Sequence, residues 1–184
     1  MVALLNEYFK IVVPTIEAAG GVVNTYLGDG VMVIFGAPEK QPDHAARAVT
    51  SAIEMVRLVH ENQHRWKALH AAEFRIGVGV HTGRAVIGTI GSPRRLDYTA
   101  IGDTVNAAAR IEAGNKEMGT EVLISQATRD AIDEARRNEL ASDWRPLSLS
   151  VKGKEKALQV FAIDVPAVGE QLSGTEQQPE TATH

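Results

Sequence analysis

The chain has 184 residues, 44% of them hydrophobic, which is ample for one domain with its own core. Its net charge of −4, with no basic stripe or aromatic-rich platform, excludes a nucleic-acid-binding footprint. Cysteine is absent, which excludes disulfides and thiolate metal sites, and neither a membrane span nor a signal peptide stands out. A cytoplasmic domain is expected, although a longer parent protein remains free to carry a membrane anchor. Val2 to Ala19 reads as an amphipathic helix, because Leu4, Leu5, Tyr8, Phe9, Val12, Val13 and Ile16 recur at three- and four-residue steps. Pro14 lies inside it, and Gly20-Gly21 stops it.

Val22–Leu27 and Val31–Phe35 are rich in β-branched and aromatic residues and read as a hairpin. Gly28-Asp29-Gly30 separates them, with Asp-Gly expected to supply the positive φ angles of a tight turn. Pro42-Asp43-His44 opens a long helix to about His70, with Ala46, Val49, Ile53, Val56 and Val59 on its buried face. His60 and His64 have the spacing of a metal pair but no third ligand, so they read as exposed histidines. Phe74–His81, Thr82-Gly83 and Ala85–Ile90 read as a second strand–turn–strand unit, and Gly91–Arg95 is polar and turn-rich.

Gly102 punctuates the next stretch, and Asp103 or Thr104 is expected to cap the helix that follows. Asn106 and Arg110 stand four apart on one face of that helix, and the alanines between them allow close packing behind it. An amide beside a forked guanidinium donor makes a platform for a sugar and a phosphate. Glu121–Ile124 is a short strand, and Ser125 caps a helix to about Arg137 that turns Ala127, Ile132 and Ala135 inward. Pro146–Val151 and Ala157–Ile163 are the last strands, bridged by Lys152-Gly-Lys-Glu-Lys156. Residues 166–184 have almost nothing to bury and read as a disordered tail.

The run Tyr98-Thr-Ala-Ile-Gly-Asp-Thr-Val-Asn-Ala-Ala-Ala-Arg110 resembles the catalytic-domain signature of the class III adenylate/guanylate cyclases. The likeness extends to Gly28-Asp29 with its flanking glycines, to Arg75-Ile-Gly-Val-Gly-Val-His-Thr-Gly83 and to Val151-Lys152-Gly153-Lys154, and covers roughly Val2 to Ile163. It implies an α+β, ferredoxin-like nucleotide-cyclase fold over residues 1–165, with a mainly antiparallel sheet flanked by helices.

That resemblance also implies roles. Asp29 would hold one of two magnesium or manganese ions, and Arg75 and Lys152 would grip the phosphates. Asn106 would orient the ribose, and Arg110 would stabilise charge on the reacting phosphorus. Thr25 stands where adenylate cyclases usually carry a purine-reading Lys, and Thr99 where the partner position is often Asp. The expected reaction is conversion of ATP to cyclic AMP and pyrophosphate by a head-to-tail homodimer with sites at the interface. The alternatives are a guanylate cyclase acting on GTP, a catalytically silent cyclase-like domain, or a ferredoxin-like binding module without a nucleotide role. The family's first strand, which bears the other metal carboxylate, has no counterpart in residues 1–184, so the chain is expected to be part of a longer protein.

Overall fold

The computed structural model of the protein describes residues 2–70, 73–92, 95–150 and 157–166, and its core begins at α1 (Val2–Ala18). Leu4, Tyr8, Val12 and Ile16 form the buried stripe of α1, one residue per helical turn, and Pro14 is accommodated within it. The hairpin of β1 (Val22–Leu27) and β2 (Gly30–Ile34) follows, then α2 (His44–Glu61) and α3 (Gln63–His70). Met55, Val59 and Trp66 close over the α1 stripe, and the indole of Trp66 donates to the Val59 carbonyl at 2.9 Å.

The main sheet is built from β3 (Val78–Val80), β6 (Val122–Ser125), β7 (Arg145–Leu149) and β8 (Leu158–Ala162), in the order β3-β6-β8-β7. All four residues of β6 are buried. Val122 and Ile124 pack towards α2 with Val49, Ala52 and Val56, while Leu123 packs with Ile111 of α4 (Asp103–Met118). The two-residue period of β6 therefore feeds a core on each side of the sheet. The remaining elements are the hairpin of β4 (Val86–Ser92) and β5 (Arg95–Ile101), and the short helices α5 (Gln126–Asp130) and α6 (Glu134–Leu140). The fold is α+β, and every strand pairing except the parallel β3–β6 is antiparallel.

Several expectations are corrected. The first hairpin turns on Gly28-Asp29, with Leu27 paired to Gly30, and the positive φ belongs to Gly28 at +67° rather than to an Asp-Gly pair. The long helix breaks at Asn62 into α2 and α3. Phe74–His81 does not pair with Ala85–Ile90. Only Val78–Val80 is a strand, it pairs with β6, and β4 takes β5 as its partner instead.

Neither Asp103 nor Thr104 caps α4. Gly102 occupies the N-cap without a side-chain bond, and the Thr104 hydroxyl donates to the Arg84 carbonyl at 2.5 Å. Ser125 does cap its helix, accepting from the Thr128 amide, but that helix ends at Asp130 and Asp133 caps a separate α6. Thr128 and Ile132 are buried there, whereas Ala127 and Ala135 are exposed. His60 is mostly buried rather than exposed, with its Nε2 2.9 Å from the Glu121 carboxylate. The tail from 167 lies outside the described residues.

Candidate active site

Asp29 sits exposed at the tip of the β1–β2 hairpin, where the two-residue turn projects it past the end of the ladder. Below it opens a cavity of about 1050 Å³, walled by β2, by the segment Phe74–Ala85 and by one side of α4. Arg75 lines the same cavity, in the extended segment before β3, with most of its side chain exposed. Its guanidinium is held by Glu73, with Nε and Nη2 3.0 and 2.9 Å from one carboxylate oxygen.

Thr104, Val105, Ala108 and Glu112 carry the α4 wall of the cavity. That wall is set by Gly79 of β3, where a Cβ would lie 2.3 Å from the Glu112 amide nitrogen. The expected close packing behind the alanines is thus made against a glycine. Burial, and then the charge of Asp29, push the Glu112 carboxyl above the usual carboxylate range. Burial pushes the Tyr8 phenol up to about 12, with Asp29 again contributing. Asp29 therefore projects its charge into the cavity, towards a second acidic group.

Asn106 and Arg110 lie on the other face of α4. Both are exposed, neither lines the cavity, and neither side chain has a hydrogen-bonding partner among the described residues. Thr25 lies on β1 and Thr99 on β5, and the residue beside Thr25, Asn24, bonds the Thr99 hydroxyl and the Tyr98 carbonyl through its side chain. The chain thus gathers Asp29 with Arg75 around one cavity, joins Thr99 to the neighbour of Thr25, and keeps Asn106 and Arg110 off the cavity wall. Lys152 lies outside the described residues.

Two residues at these sites escaped the reading of the sequence. Glu112 lies two residues past the signature run and had no assigned role, and only its proximity to Asp29 in the fold gives it one. Asn24 becomes visible only through an irregularity in strand register. For a divalent cation, the exposed Asp29 carboxylate is a fitting hard-oxygen ligand, and its mutual repulsion with Glu112 is the kind a cation neutralises. Among the described residues, however, no three His, Asp or Glu side chains cluster as a metal site. They offer one clear ligand, not the set that two ions need.

A family model for the adenylate and guanylate cyclase catalytic domain matches residues 1–164. Adenylate cyclase 1 of Rhizobium meliloti is 35% identical over 164 residues, covering 89% of this chain and 24% of that protein. Adenylate cyclase of Anabaena cylindrica is 30% identical over 160 residues, covering 86% of this chain and 31% of its own length. The crystal structure of the guanylyl cyclase Cya2 superposes with a TM-score of 0.76 at 30% identity, covering 94% of this chain and 83% of that one. The adenylyl cyclase CyaB from P. aeruginosa also gives a TM-score of 0.76, at 29% identity, covering 89% and 81% of the two chains.

The protein belongs to the adenylate/guanylate cyclase catalytic-domain family. It spans less than a third of the length of these two curated relatives. No helix among the described residues is long and apolar enough to cross a membrane.

Proposed function

We propose that this domain converts ATP into cyclic AMP and pyrophosphate at sites shared between two head-to-tail copies of the chain. One observation carries the reading: α4 turns Glu112 and its cavity-lining neighbours towards Asp29 and Arg75, but turns Asn106 and Arg110 outwards. No single copy aims these groups at one substrate. A second copy whose cavity faced this outer surface would complete the set. The names of the relatives support the reaction class but not the base, since adenylate and guanylyl cyclases both stand at about 30% identity.

In the reaction the ribose 3′-oxygen bonds to the α-phosphorus, the bond to the β-phosphate oxygen breaks, and pyrophosphate leaves. The 3′-hydroxyl proton passes to solvent or to a basic group of the substrate. The protein's task is positioning and charge neutralisation. Asn106 would hold the ribose with its 3′-oxygen in line. Arg110, fixed on a rigid helix, would place its forked donors on the oxygens of the pentavalent phosphorus, where charge accumulates. Arg75 of the other copy and Lys152 would hold the β- and γ-phosphates, while Thr25 and Thr99 would face the purine. Asp29 would supply one carboxylate to the magnesium or manganese, whose chemistry when bound is to lower the pKa of the 3′-hydroxyl and screen the triphosphate.

The cavity also supports the expectation of an absent inner strand. Among the described residues, β2 pairs only with β1 and β3 only with β6, so each presents an unpaired edge to the cavity. Ser51 in its lining is buried, with a hydroxyl that lacks a partner among the described residues. A strand seated there, carrying a further carboxylate, would pair both edges and complete the metal site. The test is a cyclase assay on the full-length protein, with ATP and GTP offered separately and manganese as the metal. Cyclic AMP supports the proposal, and cyclic GMP alone keeps the mechanism but overturns the substrate. Absence of both products contradicts catalysis and favours a silent cyclase-like domain.

A further inference from the structure

The register of β1 slips by one residue. Val23 pairs with Val33 and Thr25 with Met32, so Asn24 is an extra residue in the strand. Such a bulge frees the added residue from the ladder and re-aims its side chain. The Asn24 side chain is aimed across at β5. Its Nδ2 donates to the Tyr98 carbonyl at 2.6 Å, and the Thr99 hydroxyl donates to its Oδ1 at 3.0 Å.

The polarity of the second bond follows from the first. A backbone carbonyl only accepts, so Asn24 must present its NH₂ to Tyr98 and its oxygen to Thr99. That oxygen also only accepts, so the one hydroxyl proton of Thr99 is committed to Asn24. The Thr99 oxygen is left with acceptor capacity alone.

We infer that Asn24 is a positioning residue that fixes Thr99 as an acceptor for the 6-amino group of adenine, and so selects ATP over GTP. The inference rests on the cyclase reading above and names the base at that same site. Adenine presents an N–H donor at position 6, whereas guanine presents an oxygen there. A guanine seated in the same way would set its O6 against a lone pair of Thr99 with no proton between them. Thr25, the next residue, brings no charged donor to offset that repulsion.

The test measures kcat/KM of the full-length protein for ATP, GTP and inosine triphosphate, which carries guanine's 6-oxo group without its 2-amino group. Wild type should prefer ATP to both. In Asn24→Ala the Thr99 hydroxyl is free to donate, and the ATP-to-inosine-triphosphate ratio should fall about tenfold, mainly through KM. Thr99→Val removes the acceptor without touching the bulge and should collapse the same ratio. The double variant should add little to either single change. A merely structural loss would lower all three nucleotides together and leave the ratio intact.

If Asn24→Ala does not fold, Thr99→Val decides. An unchanged ratio in the folded variants of an ATP-preferring wild type overturns the inference and leaves the cyclase reading standing. A wild type that prefers GTP or inosine triphosphate also overturns it. A wild type that turns over none of the three overturns the cyclase reading itself.

Discussion

The two faces of α4 are built to opposite specifications. Where its inner face meets β3 it is saturated: the helix backbone at Ala108–Glu112 rests on Gly79, and buried Asn115 donates to the Val78 carbonyl at 3.2 Å and to the Glu112 carbonyl at 3.0 Å. Asn115 also accepts from the Thr120 hydroxyl at 2.9 Å, so its amide is bonded at both ends. Its outer face is unsaturated, with the side chains of Asn106 and Arg110 exposed and unbonded among the described residues. Polar groups with every bond made hold a structure in place, whereas polar groups left open on a rigid helix are available to a substrate.

Breaking the inner face should cost the fold. Gly79→Ala would drive a Cβ into the α4 backbone, with atoms as close as 2.3 Å that belong to no flexible side chain. It should destabilise the domain by about 3 kcal/mol or more, read as a loss in urea midpoint together with lost activity. Breaking the outer face should cost only chemistry. Arg110→Ala should lower kcat by about a hundredfold or more, with stability changed by less than about 0.5 kcal/mol. A large stability loss in Arg110→Ala, or near-normal turnover, would erase the distinction between the faces.

A smaller effect sharpens the comparison at the far end of the cavity wall. The Nδ1 of His81 lies 2.8 Å from the Ser125 hydroxyl, and burial holds its pKa below the ordinary 6.5. A depressed folded-state pKa means the unfolded chain takes up the proton first. The stability from neutral His81 is therefore complete above pH 6.5 and is lost as pH falls through the folded value. His81→Asn, which cannot take up that proton, should flatten the acid side of the stability profile as pH falls below the ordinary value of 6.5. An unchanged slope would show that burial of His81 contributes nothing to the acid sensitivity of the fold.

Periodic patterns in the sequence carried the fold well wherever a single element decided the outcome. The stripe of α1, the two strands of the first hairpin and the Ser125 cap follow from local spacing. Partner choice between strands did not follow. Phe74–His81 and Ala85–Ile90 are neighbours with suitable patterns, yet β3 pairs with β6, more than 40 residues further along the chain. The break at Asn62 and the split of α5 from α6 were hidden for a related reason. Helical periodicity continues through both points, and packing of Trp66 and capping by Asp133 decide them.

At the site, Asn106 and Arg110 were legible as a pair because i, i+4 spacing fixes their common face. Which face of the fold that would be was not legible, since it depends on Gly79 drawing the opposite side of α4 onto the sheet. Asn24 was hidden because an inserted bulge leaves no trace in composition or periodicity.

The most direct test of the two-faced account mixes Asp29→Ala chains with Arg110→Ala chains, each inactive alone. If each site takes Asp29 from one copy and Arg110 from the other, a mixed dimer holds one intact site and one doubly damaged site. Random pairing should then restore about a quarter of wild-type activity. Recovery near that level is the predicted result, and a mixture as inactive as its components would contradict the shared site.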